Sequence, residues 1–236
     1  MNRSIKTLVA AFAIIASVNS FAQEAGADYE ETIGWTPIAV GLATPVQVPW
    51  GVNLWDVYGL DVNLFYADAP KMYGLQVGGF VNVNRDLMIG MEAASLLNYA
   101  DSDVYGLRAT LGLNACRKTV YGMDVGTVGL RDAFVGFDAN LVGSAQHRMT
   151  GVQISGLCNI ADVKSHGFAF AFGANLAEEA SGIQIAACLN MTKKLSGAQI
   201  GLVNFTRECP SGFQIGLVNV IMENLWPVIP FVNASF

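Results

Sequence analysis

A glycine recurs along this chain at spacings of 14 to 16 residues, and a similar short motif follows most of these glycines. The motif is clearest near the C-terminus, where Gly-Ala-Gln-Ile-Gly-Leu-Val-Asn over 197–204 is followed by Gly-Phe-Gln-Ile-Gly-Leu-Val-Asn over 212–219. A fixed period of this kind indicates one supersecondary unit copied many times. The repeats start at Gly59, Gly74, Gly90, Gly106, Gly122, Gly136, Gly151, Gly167, Gly182, Gly197 and Gly212.

Two kinds of residue alternate within each repeat. With the glycine counted as position 1, positions 2, 4, 6 and 8 are mostly apolar or small, and none of them is charged in any repeat. The odd positions hold Gly, Ala, Ser, Gln and Asn, and position 3 also holds charged residues. This alternation with a period of two predicts β-strands with two different faces. In the last two repeats, Asn204 and Asn219 fall at position 8 rather than 9, which would need a bulge to correct the phase.

Two all-β architectures can be built from such a repeat. We predict an antiparallel up-and-down transmembrane β-barrel of about 12–14 short strands, because outer-membrane barrels use strands of about 9–11 residues with alternating lipid-facing and lumen-facing side chains. The alternative is a parallel β-solenoid with one repeat of ~15 residues per coil, in which identical Gln and Asn side chains would stack as ladders. Segments 177–179, 192–194 and 206–208 offer few apolar residues to the core of a coil and therefore favour the barrel.

The N-terminus has the pattern of a secretory signal. Arg3 and Lys6 precede an apolar stretch over 8–18, and Ser-Phe-Ala at 20–22 supplies small residues at the positions that a signal peptidase reads. We therefore expect a signal peptide over 1–22, an acidic N-terminal segment over 23–34 and a single repeat-built β domain over 35–236.

Charge and the C-terminus bear on location and partners. The formal net charge of −6 argues against a nucleic-acid partner, because binding nucleic acid needs a basic surface. The chain ends in Phe236, preceded by apolar residues at alternate positions, and this ending resembles the assembly signal of bacterial outer-membrane barrels. We predict an exported protein of the outer membrane or cell surface, with Phe236 as a candidate assembly signal. The expected partners are outer-membrane lipid and the outer-membrane assembly machinery.

Three stretches together resemble a family of bacterial surface-repeat proteins. They are Val-Tyr-Gly-Leu-Asp-Val-Asn-Leu over 57–64, the repeated Gly-x-Gln-Ile-Gly-Leu-Val-Asn and the ending Trp-Pro-Val-Ile-Pro-Phe over 226–231. The resemblance covers roughly residues 35 to 236. It implies an envelope or cell-surface location and a fold like an outer-membrane β-barrel. The family carries no established activity, so no functional residue is transferred.

Position 3 of the repeats holds the candidate functional side chains. In a barrel they would face the lumen and set ion preference, whereas in a structural interpretation they satisfy one another as carboxylate–arginine and amide networks. The candidate lumen-facing residues are Asp61, Gln76, Glu92, Arg108, Asp124, Asp138, Gln153, Gln184, Gln199 and Gln214.

The sequence offers no pattern of a catalytic, metal or cofactor site. His147 and His166 have no third ligand at a suitable spacing, and the four cysteines, which lack Cys-x-x-Cys spacing, are expected to be mostly unpaired, buried thiols. We predict that the protein is not an enzyme and binds no cofactor. Its predicted function is that of an outer-membrane β-barrel surface protein, structural or a small porin-like channel. The alternative is an exported β-solenoid surface protein for adhesion or binding.

Overall fold

The computed structural model describes residues 34–44, 46–50 and 54–235, and these residues form strands, turns and bends with no α-helix. No helix among them is long and apolar enough to cross a bilayer. The strands are β1 (Gly34–Ala43), β2 (Val46–Val48), β3 (Trp55–Gly78), β4 (Val81–Ala94), β5 (Leu97–Ala100), β6 (Val104–Thr110), β7 (Leu113–Ser155), β8 (Cys158–Ala171), β9 (Ala174–Ala186), β10 (Leu189–Ile200), β11 (Val203–Ile221) and β12 (Val228–Ser235).

The repeats stack as a parallel β-solenoid with one repeat in each coil. Neighbouring strands run parallel with a register offset of one repeat, so that Gly182 pairs with Gly197 and Gly197 pairs with Gly212. Within the described residues, antiparallel pairing is confined to the two ends of the sheet, where β2 pairs with β1 and β12 pairs with β11.

The predicted antiparallel barrel is therefore wrong, and the all-β alternative, the solenoid, is the fold. A meander barrel reverses direction at every connection and pairs its first strand with its last. Here successive coils keep the same direction, and β2 and β12 lie at opposite ends of the strand order.

The recurring glycine lets adjacent coils approach closely. Ten of the repeat glycines have φ between +119° and +144°, a backbone conformation that residues with a Cβ rarely adopt. A Cβ added to Gly106 would lie 1.8 Å from the carbonyl oxygen of Gly90 in the preceding coil. The same contact recurs along the column of glycines, so the period of the sequence is the length of one coil.

Each coil has two arms joined by a corner. The first arm carries the glycine motif through about position 5, and the second arm starts near position 8; between them the chain bends, for example at 95–96 and 172–173. The residue two before the glycine points inward and is apolar in most coils. Examples are Met72, Met88, Val104, Val120, Phe134, Met149 and Leu195, all buried.

Polar ladders complete the core where apolar residues are missing. Segments 192–194 and 206–208 appeared too polar for the inside of a coil, yet Thr192 and Thr206 are buried at 2% and 0% exposure. The Thr192 hydroxyl donates to Thr206 Oγ1 at 2.9 Å, so each hydroxyl has its partner in the next coil. A polar second arm is therefore compatible with a solenoid, because stacked hydroxyl and amide groups replace apolar side chains in its core.

The irregular position of the last two asparagines also has a structural cause. Asn204 pairs in register with Asn190, and both are buried. Ile200 pairs with Ile185, so the corner of the Gly197 repeat is one residue shorter than that of the preceding repeat. Asn204 therefore lies inside as its partners do, but a shorter corner, and not the expected bulge, corrects the phase.

All four cysteines are free, as expected. Cys116 and Cys209 are buried and Cys158 is half-buried, but Cys188 is exposed at a corner, so the expectation of burial is wrong for that thiol. The predicted signal peptide over 1–22, residues 23–33 of the acidic segment and Phe236 lie outside the described residues, and they stay predictions.

Candidate binding face and the polar core behind it

The ten candidate lumen residues all point into the interior of the solenoid. Each is between 0% and 3% exposed, and the space around them is filled by neighbouring side chains. Their prediction as a lumen lining is wrong, since the coils enclose a packed core. The structural interpretation, in which these side chains satisfy one another, agrees with the contacts described below.

The C-terminal half of the core contains two amide ladders. Gln214 Nε2 donates to Gln199 Oε1 at 2.8 Å, and Gln199 Nε2 donates to Gln184 Oε1 at 3.0 Å. The second ladder, called here the asparagine ladder, runs through Asn159, Asn175, Asn190, Asn204 and Asn219 with amide–carbonyl distances of 2.8 to 2.9 Å. Because each amide bonds to the same residue type one coil away, the ladders hold the coils in register.

The N-terminal half of the core holds charged side chains in place of the glutamines. The asparagine ladder has a counterpart there, formed by Asn82, Asn98 and Asn114. Arg108 pairs with Glu92, and its Nη2 donates to two backbone carbonyls at 2.8 and 2.9 Å. Arg131 pairs with Asp124, and its Nη2 lies 2.7 Å from Asp138 Oδ2. Each guanidinium thus neutralises buried carboxylates, which would otherwise be costly to remove from water.

Arg131 is the core residue that sequence reasoning missed. It follows the glycine of the Gly122 repeat by nine residues, a position that is half-buried or exposed in half of the other repeats, for example at Ile160 and Leu176. The sequence does mark this repeat as irregular, because the repeat is only 14 residues long and has Leu130 where six others have asparagine. In this coil the asparagine ladder is interrupted, and Asn114 donates to the Asp124 carboxylate instead.

Burial shifts the acid–base properties of the core carboxyl groups. Removal from water raises the pKa of Asp61 to about 6, although the amide of Gln76, donating at 3.0 Å, opposes this shift. Burial also raises the pKa of Glu92 and of Asp124, against the opposing effect of the arginines beside them. Desolvation therefore penalises the charged form of these three carboxyl groups, and the arginines offset part of that penalty for Glu92 and Asp124.

The first arm presents the opposite chemistry to the outside. Because side chains alternate along a strand, the inward position 3 places positions 2 and 4 outward. Met91, Ile183 and Phe213 are 49%, 44% and 40% exposed, and most other members are exposed or half-buried; Ala198 is buried. This surface, called here the apolar face, consists of Leu60, Val62, Leu75, Val77, Met91, Ala93, Leu107, Ala109, Met123, Val125, Phe137, Ala139, Val152, Ile154, Phe168, Phe170, Ile183, Ile185, Ala198, Ile200, Phe213 and Ile215.

The apolar face is large for a protein surface. Eleven coils at a strand spacing of ~4.8 Å span about 48 Å, and five residues of each first arm span ~15 Å, so the face covers roughly 700 Å². Monomeric proteins rarely expose contiguous apolar patches above about 300–600 Å². Several corner residues extend the face, and Leu111, Leu141 and Phe172 among them are 82%, 73% and 67% exposed.

Other outward side chains frame this face. Tyrosine rings precede the glycines of four N-terminal repeats and stack in pairs, with centroids 4.6 Å apart for Tyr58–Tyr73 and 4.8 Å apart for Tyr105–Tyr121. Charged side chains gather on the far corner, after the second arm, where His147 Nδ1 lies 3.3 Å from Asp132 Oδ1 and Lys193 pairs with Glu178. The face itself contains no charged residue.

At the C-terminal end, β12 folds back beside the last coils and forms one wall of an apolar groove of about 630 Å³. Phe172, Leu202 and Leu217 line the corner side, and Phe231 and Val232 line the other. Phe170, Ile185, Ile200 and Ile215 of the apolar face also border the groove, so the two surfaces are continuous.

Comparison of the chain with known protein families, curated proteins and solved structures gave no match.

Proposed function

We propose that this chain is an exported β-solenoid of the bacterial cell surface that serves adhesion or binding, with the apolar face as its binding surface and without catalysis. The observation that carries the proposal is the apolar face, roughly 700 Å² of outward aliphatic and aromatic side chains with no charge. The signal-like pattern over 1–22 and the resemblance to bacterial surface-repeat proteins support export to the envelope.

The architecture suits a binding surface. Solenoids form extended surfaces from repeated units, and here the buried amide ladders fix each unit against the next. The side chains of the face stand on strands, so little additional ordering is needed when a partner covers them. Burial of apolar area, rather than directional hydrogen bonding, would then supply the affinity, at about 25 cal/mol for each Å² before the cost of association.

Export is tested by locating the protein in the native cells. Antibody labelling of intact cells and N-terminal sequencing of the purified protein should find it at the surface, starting at residue 23. A variant that lacks residues 2–22 is the control and should accumulate inside the cell. Recovery of the natural protein from the cytoplasm with its N-terminus uncut would contradict the proposal.

Binding through the apolar face is tested with a matched pair of lysine substitutions. Ile154, on the face, is 38% exposed, and Val163, on the charged corner, is 47% exposed. Cells that produce Ile154→Lys should adhere less to alkyl-coated beads than cells with the natural protein, whereas Val163→Lys should have no effect. Equal adhesion by the two variants at equal surface amounts would show that the apolar face is not the binding surface.

A further inference from the structure

We infer that the apolar face is an interface between two copies of this chain, packed face to face. This inference rests on the proposed function in one respect, because it names the partner of the same surface. The area supports it: a stable protein–protein interface buries about 800 Å² on each partner, and the face offers roughly 700 Å² before its corner residues are added.

The shape and charge of the surface match a second copy. A flat apolar sheet packs against another such sheet at about 10 Å, as in the core of a β-sandwich. The charged groups gather on the far corner, so two copies of this acidic chain can approach through the face without placing like charges opposite one another.

An anionic lipid surface is a poorer match for this face. Proteins that lie on such membranes carry lysine and arginine beside their apolar residues, and these attract the headgroups. The apolar face has no basic residue, and the chain as a whole is acidic. Electrostatics would therefore oppose the approach to an anionic membrane, whereas the match to a second copy has no such penalty.

A face-to-face pair related by a two-fold axis is a closed assembly, since each copy covers the apolar face of the other.

The mass of the purified protein tests self-association. Light scattering on the chain in the form that the cell exports should give twice the mass of one chain. Ile154→Lys should raise the dissociation constant by on the order of 100-fold, because it places a lysine inside the apolar interface. Val163→Lys should leave the mass unchanged, and circular dichroism should show the same β-structure in all three proteins. If Ile154→Lys does not fold, the uncharged Met123→Gln takes its place.

Each other outcome overturns part of the inference. A single-chain mass for the natural protein excludes the dimer. If that monomer binds phosphatidylcholine vesicles through Ile154, the occupant is a membrane and the proposed binding surface still stands. If the natural protein is a monomer that binds no vesicles, and cells with Ile154→Lys adhere normally, then both the dimer and the apolar face as binding surface are excluded. A dimer unaffected by Ile154→Lys and by Met123→Gln has its interface elsewhere.

Discussion

Asn175 lies in the middle of the asparagine ladder, and its replacement by alanine tests whether that ladder stabilises the fold. The side chain is 1% exposed. Its Nδ2 donates to Asn190 Oδ1 at 2.9 Å and to the carbonyl oxygen of Ile185 at 2.8 Å, while its Oδ1 accepts from Asn159 Nδ2 at 2.9 Å. Asn175→Ala removes all three bonds at once.

The expected cost follows from the groups left behind. Two buried oxygens, Asn190 Oδ1 and the carbonyl of Ile185, lose the amide that bonds them, and the amide nitrogen of Asn159 keeps only its bond to the carbonyl of Phe170 at 2.8 Å. A buried polar group without a partner costs about 1–3 kcal/mol. We therefore expect Asn175→Ala to lower the free energy of unfolding by roughly 2–5 kcal/mol.

Urea unfolding followed by circular dichroism measures this change. Ser196→Ala is the control, because Ser196 is exposed on the outer side of the next coil, and it should alter the free energy of unfolding by less than about 0.5 kcal/mol. If Asn175→Ala costs less than ~1 kcal/mol, the asparagine ladder is not a stabilising element and the account of the core is refuted.

Three further changes test other parts of the core by the same unfolding measurement. Gly106→Ala should lower the free energy of unfolding by more than ~3 kcal/mol or prevent folding, because φ is +141° and the new Cβ would meet the Gly90 carbonyl. A loss below ~1 kcal/mol would contradict the close approach of adjacent coils along the column of glycines. The pKa of Asp61, raised to about 6, means that the folded state binds a proton that the unfolded state has released, so stability should fall by up to ~3 kcal/mol as the pH rises from about 4 to 6. Asp61→Asn should remove that part of the pH dependence, and an unchanged slope would contradict the assignment. Arg131→Met should lower the free energy of unfolding by about 3–5 kcal/mol near neutral pH and by less in acid, because Asp124 loses its buried partner and must take up a proton. A loss of stability that does not depend on pH would contradict the ion pair.

The strands could be predicted from the sequence, and their direction could not. Alternation of apolar and polar residues predicts two-faced strands whether neighbours run parallel or antiparallel, and about 15 residues suffice for a barrel strand with its turn or for one coil. The usual expectation that apolar side chains lie inside does not separate these two folds. Here Gln199 and Asn190 lie inside, and Ile183 and Phe213 lie outside.

The identity of the repeated residues contained the missing information. Identical amides at identical positions, as at Gln184, Gln199 and Gln214, can bond to one another only if equal positions of successive repeats are adjacent, which parallel coils provide. The glycine recurs at the same position of every repeat for the same reason, because each glycine contacts the glycine of the preceding coil. These stacking relations concern pairs of residues one repeat apart, and a search based on hydrophobic periodicity does not detect them.

The candidate site could be predicted only in part. The grouping of the position-3 side chains was correct, but their role as a lumen lining depended on the barrel. Arg131 was missed because it reaches the core from the second arm of a short repeat, whereas the candidates were all taken from position 3 of the first arm. The apolar face was evident from the even positions, and its exposure on a solenoid makes it the candidate binding surface.

Disulfide cross-linking between successive coils tests the parallel solenoid most directly. Ser181 and Ser196 stand immediately before two repeat glycines and pair in register in adjacent strands. Their Cα atoms are therefore about 4.8 Å apart, within the range that a disulfide spans. In a chain whose native cysteines are changed to alanine, Ser181→Cys combined with Ser196→Cys should form an intramolecular disulfide rapidly under mild oxidation, without loss of β-structure. In an antiparallel meander the two positions would lie near opposite ends of neighbouring strands, so failure of the folded protein to form this disulfide would contradict the solenoid.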